Sequence, residues 1–205
     1  MKVCNSHTFI SGITRSGKTY FATHSLADLP YPVIFFNIQE EDLPKKFIKL
    51  NAKDIDGVQL MDALRMGCKI DLRLPQSAAQ TNNCIGYVLD LLMNAGFSEK
   101  NPVYIGLDEC QLLAKYGLDM AISVATRGLK RGCRAVFISQ RPAMVHKTLY
   151  TQSSEQYIFA LAPSERSYLM DKGLDFDKMN QLWEELGKYS YVYFDGRHYE
   201  GRKAV

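Results

Sequence analysis

The sequence predicts an α/β fold: a mostly parallel central sheet with helices on both faces and a β-hairpin at the C-terminal end. Three observations carry that expectation. Apolar runs of strand length alternate with amphipathic stretches of helix length along the 205 residues. The first run feeds a glycine-rich loop that opens straight into a helix, and the last two runs flank Asp195-Gly196, a dipeptide suited to a tight hairpin turn.

Residues 3–10 (VCNSHTFI) read as a strand of mixed polarity, and residues 18–28 (KTYFATHSLAD) place apolar side chains at helical spacing until Pro30 closes the segment. Residues 32–38 (PVIFFNI) form an apolar, aromatic-rich run of the kind covered on both faces of a sheet. The polar, lysine-rich stretch 39–56 is expected to be a loop with one helical turn. Residues 58–65 suggest a short helix ended by Gly67, and residues 69–74 (KIDLRL) alternate as a strand until Pro75 stops them. Residues 78–95 gather Ile85, Val88, Leu89, Leu91 and Leu92 on one helix side, with Gly96 as the stop. Next come a strand at 103–107, a helix over 118–130, strands at 135–139 and 156–161, and helices at 164–172 and 176–186. Residues 189–194 and 198–203 complete the hairpin, and the whole chain, 1–205, is expected to form a single domain.

Composition excludes several classes of function. No run of eighteen apolar residues is present, so an integral membrane protein is not expected, and the N-terminus lacks the apolar core of a signal peptide. The five cysteines (Cys4, Cys68, Cys84, Cys110, Cys133) are scattered without a C-x-x-C pair, which points to free thiols in a reducing, cytoplasmic setting and to no zinc site. The histidines His7, His24, His146 and His198 are equally dispersed. A net charge of +3 does not by itself indicate nucleic acid. Its distribution says more: between Asp119 and Glu155 there is no acid, while Arg127, Lys130, Arg131, Arg134, Arg141 and Lys147 all fall in that window.

Gly12-Ile13-Thr14-Arg15-Ser16-Gly17-Lys18-Thr19 fits the phosphate-cradling pattern G-x-x-x-x-G-K-[ST] without departure, between a strand and a helix as the chemistry requires. The glycines let successive backbone N–H groups turn inward around an anion, and the helix adds the positive end of its dipole. Lys18 is expected on the β- and γ-phosphates and the Thr19 hydroxyl on Mg²⁺. A second element is Val103 to Glu109, an apolar strand ending in two carboxylates, the pattern of a Walker B strand. Asp108 is expected to hold Mg²⁺, and Glu109 to orient and polarise an attacking water. A third is the buried strand ending Ser139-Gln140-Arg141-Pro142, where an amide can address the γ-phosphate or the water. The chain therefore reads as a P-loop NTPase. A guanine-reading N-K-x-D is missing, since Asn51-Ala52-Lys53-Asp54 does not fit it, so ATP is the expected ligand.

On these three elements, with a basic helix between the last two, the first 160 or so residues resemble the FtsK–HerA superfamily of DNA-translocating ATPases. A chain with little beyond the ATPase core is most similar there to the genome-packaging ATPases of icosahedral viruses with an internal membrane. The resemblance implies a RecA/ASCE-like sheet and ATP hydrolysis, the glutamate after the Walker B aspartate separating such ATPases from kinases and GTPases. It also implies a homo-oligomeric ring, a hexamer or pentamer, that pushes double-stranded DNA into a capsid irrespective of sequence. A capsid or virion-membrane protein would be a partner, and the host cytoplasm or the virion the location. A ring further implies an arginine supplied in trans, with Arg127 the first candidate and Arg131 the second. Lys45, Lys46, Lys49, Lys53 and Arg73 are candidates for DNA contact or plain surface, and Tyr189, Tyr191 and Tyr193 for adenine stacking or packing. Two alternatives use the same residues: an ATP-dependent assembly switch that moves no DNA, and a small-molecule or nucleotide kinase, against which Glu109 argues.

Overall fold

The computed structural model describes residues 6–54 and 56–203. Nine strands form one sheet: β1 (His7–Ser11), β2 (Val33–Asn37), β3 (Ile48–Asn51), β4 (Lys69–Arg73), β5 (Val103–Leu107), β6 (Cys133–Ser139), β7 (Ser153–Phe159), β8 (Ser190–Phe194) and β9 (Tyr199–Lys203). The helices are α1 (Lys18–Ala27), α2 (Gly57–Arg65), α3 (Ala78–Asn94), α4 (Lys115–Arg127), α5 (Lys147–Thr151), α6 (Arg166–Met170) and α7 (Phe176–Leu186). The strand order is β3-β4-β2-β5-β6-β1-β7-β8-β9. Pairing is parallel from β3 to β7, and β8 and β9 add the expected antiparallel hairpin. The strand lying between β1 and the acid-bearing β5 is thus β6, the one that ends at Gln140.

Alternation along the strands builds two cores. Phe9, Ile34, Phe36, Ile105, Phe137 and Ile158 face the side covered by α2 to α7, and Ile10, Val33, Phe35, Tyr104, Ile138 and Tyr157 face α1. That period of two, on strands buried throughout, is why β1, β2, β5 and β6 read as continuous apolar runs. Phe21 of α1 packs among Tyr157, Phe159 and Tyr191 at centroid distances of 5.0 to 5.7 Å, and Trp183 anchors α7 by donating to the Ile158 carbonyl at 3.1 Å.

Some boundaries differ from expectation. The stretch 39–56 contains an edge strand, β3, pairing with Ile70 to Arg73; its side chains are mostly exposed, so it lacks an apolar signature. The five-residue α5 is too short to show periodicity. Helix α4 starts at Lys115 and gives way to a tight turn at Leu129–Arg131. Residues 3–5 of the first predicted strand, with Cys4, lie outside the described residues.

His7 is fully buried, and its Nδ1 accepts from the Ala135 N–H at 3.0 Å, which fixes a neutral ring. Burial, outweighing the nearby Val124 carbonyl, lowers its pKa from 6.5 to about 4. Between those values the unfolded chain binds a proton that the folded chain refuses, so stability falls with pH. Relative to His7→Leu, the wild type is expected to lose about 2 kcal/mol of unfolding free energy between pH 7 and pH 5, read from urea titrations at the two pH values.

Candidate nucleotide site

The carboxyl ends of β1, β2, β5, β6 and β7 share one sheet edge, where open α/β sheets bind ligands. The loop after β1 is pinned from both sides: Gly12 N–H donates to the Ser139 carbonyl at 3.1 Å and Ile13 N–H to the Ala160 carbonyl at 2.9 Å. A Cβ on Gly12 would lie 2.6 Å from both the Phe159 Cβ and the Ser16 Oγ, so only glycine permits the approach. Gly17 takes φ 94°, and α1 begins behind it with no side-chain cap and no acid in its first turn. By contrast, Asp56, Ser77 and Asp175 cap α2, α3 and α7. The free N–H groups of α1 therefore face the loop.

Asp108 and Glu109 follow β5 and are almost fully buried, at 1 % and 2 % exposure. Glu109 adopts φ 49°, an unfavourable left-handed conformation, and its N–H donates to Asp108 Oδ1 at 2.9 Å. Three amides hold its carboxylate. Gln39 donates to Oε1 at 2.7 Å, Gln140 donates to the same oxygen, and Gln111 donates to Oε2. Gln140 in turn accepts from the Thr14 hydroxyl at 2.5 Å, linking the loop to Glu109 through one side chain. Supporting contacts fix each amide. Ser139 donates to Gln111 at 2.7 Å, and the turn carrying Gln39 is closed by Asn37, which exchanges bonds with the Glu41 backbone and donates to buried Asp71 at 2.9 Å. Glu165, also buried, accepts from Ala143 N–H at 2.7 Å and so holds the turn after Gln140.

Burial, reinforced by Glu109, pushes the Asp108 pKa up to about 7, with the Glu109 N–H and Lys18 acting in the opposite direction. Lys18 is only 5 % exposed, and among the described residues no ion pair holds its ammonium. Ser16 Oγ is buried and has no hydrogen-bond partner among the described residues. A cleft of ≈ 470 Å³ is lined by Thr14, Arg15, Lys18, Thr19, Gln39 and Gln140 among others, a size within the usual range for small ligands. An uncapped helix start, a buried hydroxyl and ammonium without a partner among the described residues, and a buried acid near Lys18 together fit a triphosphate with its Mg²⁺.

The structure thus brings Gly12, Ile13, Thr14, Arg15, Ser16, Gly17, Lys18, Thr19, Asp108, Glu109 and Gln140 to one edge. Arg127 is not among them. It ends α4 beside the start of β6, at the opposite edge, and donates to its own Ser123. Arg131 gives its guanidinium to the Met93 carbonyl at 2.8 Å and Asn94 at 3.1 Å, which makes it a tie between helix and turn. Of the suggested DNA contacts, Lys46 pairs with Asp28, Lys49 with Asp42 and Arg73 with buried Asp71. Sequence reasoning missed Gln39, Gln111 and Lys188. Gln39 was signalled by its place just past a buried strand; Gln111 and Lys188 carry no local signal. Lys188 lines the same cleft as Arg15, adding a second cation beside the loop.

The fold is that of the P-loop NTPases. Among solved structures, it is similar to the genome packaging NTPase B204 from Sulfolobus turreted icosahedral virus 2 in complex with AMPPCP, at TM-score 0.69 and 12 % identity over 98 % of both chains. It is also similar to B204, the DNA-packaging ATPase from Sulfolobus turreted icosahedral virus, at TM-score 0.68, 13 % identity and 98 % of both chains. The bacterial conjugative coupling protein TrwB matches at TM-score 0.56 and 12 % identity, over 97 % of this chain and 77 % of that one. The expected likeness to DNA-packaging and FtsK-type ATPases therefore holds at the level of fold. The sequence matches no family model, and no curated protein matches it. Among the described residues no helix is long and apolar enough to cross a membrane.

Two adjacent buried carboxylates burden the fold. Asp108→Asn is expected to stabilise the nucleotide-free protein by about 1 kcal/mol, seen as a rise in thermal midpoint, while abolishing Mg²⁺-dependent nucleotide binding.

Proposed function

We propose that this chain is an ATPase that uses hydrolysis to drive double-stranded DNA, in the manner of a genome-packaging motor. One observation carries the reading: Glu109, Gln140 and Thr14 form a hydrogen-bonded relay from the end of β5 to the phosphate loop. Thr19 and Asp108 would hold the Mg²⁺, which would neutralise charge on the phosphate oxygens. Lys18 bridges the outer phosphates, and the backbone N–H groups of the loop and of α1 cradle them. Glu109 takes the role of general base, polarising water towards the γ-phosphorus. Gln140 senses the loop through Thr14 and positions Glu109, so a change in phosphate occupancy alters the base through one amide.

The likeness to a DNA-packaging ATPase, and to a bacterial conjugative coupling protein, supports the DNA half of this reading. So does the place of Arg127, which lies too far round the sheet to serve its own site and suits delivery to a neighbour in a ring. Lys45 and Lys53, which form no ion pair among the described residues, are the stronger phosphate-contact candidates from the early lysine cluster. A capsid or virion-membrane partner and a place in the host cytoplasm or virion belong to the same proposal.

Long double-stranded DNA is expected to stimulate ATP turnover. Glu109→Gln should lower that turnover at least about 100-fold with ATP still bound, and Lys18→Ala should remove binding. A phosphate-release assay with and without DNA checks both; turnover indifferent to DNA favours the assembly-switch reading. If Arg127 acts in trans, doping wild type with Arg127→Ala subunits should depress turnover more steeply than in proportion, whereas a linear decline assigns it a purely local role.

A further inference from the structure

Resting on the nucleotide-site reading above, the topology also decides where the nucleoside half of the ligand must lie. The groups addressing the terminal phosphate, Gln39, Glu109 and Gln140, come from β2, β5 and β6, all on one side of β1. A triphosphate stretched along the loop therefore leads its sugar and base towards the other side, over β7 and β8. Because β8 runs antiparallel, its start lies at the same edge as the ends of β1 and β7, and the residues just before it, Lys188 and Tyr189, face the loop. A second cleft of ≈ 450 Å³ lies here, between the loop on one wall and α7 with this turn on the other. It meets the phosphate cleft at Thr14, Arg15, Lys188 and Tyr189, which line both.

Tyr189 is held in a way that packing does not explain. Its φ is 65°, a conformation that costs an aromatic residue backbone energy, yet the residue is 48 % exposed. Tyr191 and Phe194, on the same hairpin, have ordinary strand geometry and are 7 % exposed. Tyr191 is spent among Phe21, Tyr157 and Phe159. The strain at 189 instead turns the ring onto Gly17, where it comes within 3.0 Å of the place a Cβ would occupy. Ser190 closes the turn by donating to the Gly187 carbonyl at 2.7 Å, and the Lys188 ammonium lies over the ring, 4.8 Å from its centroid.

We propose that Tyr189 is the stacking platform for the nucleoside base and that Lys188 is its companion cation. The base takes the ring face now covered by the ammonium, and Lys188 moves onto the α-phosphate. Stacking is favourable for any base, since each presents a π-face to the ring. The platform thus adds affinity for a nucleoside triphosphate over a bare polyphosphate.

The test compares equilibrium binding of ATP and of inorganic tripolyphosphate, both with Mg²⁺, to the full chain. Tyr189→Gly removes the ring and relieves the left-handed backbone at once, so folding is not at stake; Tyr189→Phe keeps the stacking face. Tyr189→Gly should weaken ATP about tenfold or more and leave tripolyphosphate unchanged, while Tyr189→Phe stays within about twofold of wild type for both. Lys188→Ala should weaken ATP with the ring intact. Equal losses for the two ligands in Tyr189→Gly would mean that the ring merely shapes the loop, and no loss for either would remove it from the site; both overturn the platform while leaving the phosphate site standing. A wild type that binds neither ligand overturns the nucleotide reading itself.

Discussion

The site depends on how closely three backbones approach at Gly12. The loop leaves β1 and at once donates to β6 on one side and to the residue after β7 on the other, so strands from the second half of the chain determine its path. No side chain fits there, because Phe159 and Ser16 occupy the space a Cβ would need. Pinning of this kind turns a flexible glycine segment into a rigid cradle before any ligand arrives, so little ordering entropy remains to be lost on binding. It also sets the distance from the loop to Gln140, whose strand supplies one of the two pins. Thr14 meets Gln140 because Gly12 meets Ser139.

Around that cradle the molecule tolerates electrostatic arrangements that a purely structural edge would avoid. Two carboxylates are buried side by side, one of them at a backbone angle unfavourable for glutamate, and burial raises Asp108 almost to neutrality. The buried Lys18 ammonium lies near Asp108 and forms no ion pair among the described residues. Groups so arranged suit the charge of a phosphate and a divalent cation. The amides on Glu109 work differently: being neutral, they fix its direction without discharging it.

The sheet also divides labour by position. Its carboxyl-end edge gathers the phosphate-loop residues, the two buried carboxylates and Gln140, with β5 and β6 on one side of the loop and the hairpin turn on the other. The basic window between Asp119 and Glu155 does not form one charged surface. Arg134 is buried against Tyr104 and the Glu99 carbonyl, and Arg131 ties two elements together, which leaves Arg127, Lys130, Arg141 and Lys147 facing outward. Charge counted along a chain overstates charge available to a partner, because arginine can satisfy its donors inside a fold.

Sequence alone determined the parts whose physics is local. The glycine pattern needs only neighbouring residues to define its backbone, and a strand ending in two acids declares itself by an abrupt change in polarity. Strands buried on both faces read as apolar runs, so β2, β5 and β6 were legible, as was α7 with its strong amphipathic pattern. Tertiary structure decided whatever depends on partners distant in the chain. The edge strand β3 needed β4 to pair with, and the amides of Gln39 and Gln111 acquire meaning only where β2 and β5 lie side by side. Arg131, a trans-acting candidate only by family resemblance, gives its guanidinium to the end of α3. Tyr189 looked like its neighbours Tyr191 and Tyr193 in an aromatic strand, and only the antiparallel return of β8 to the loop set it apart. Local patterns follow from steric and hydrophobic periodicity over a few residues, whereas the convergence of side chains follows from strand order, which no short window of sequence contains.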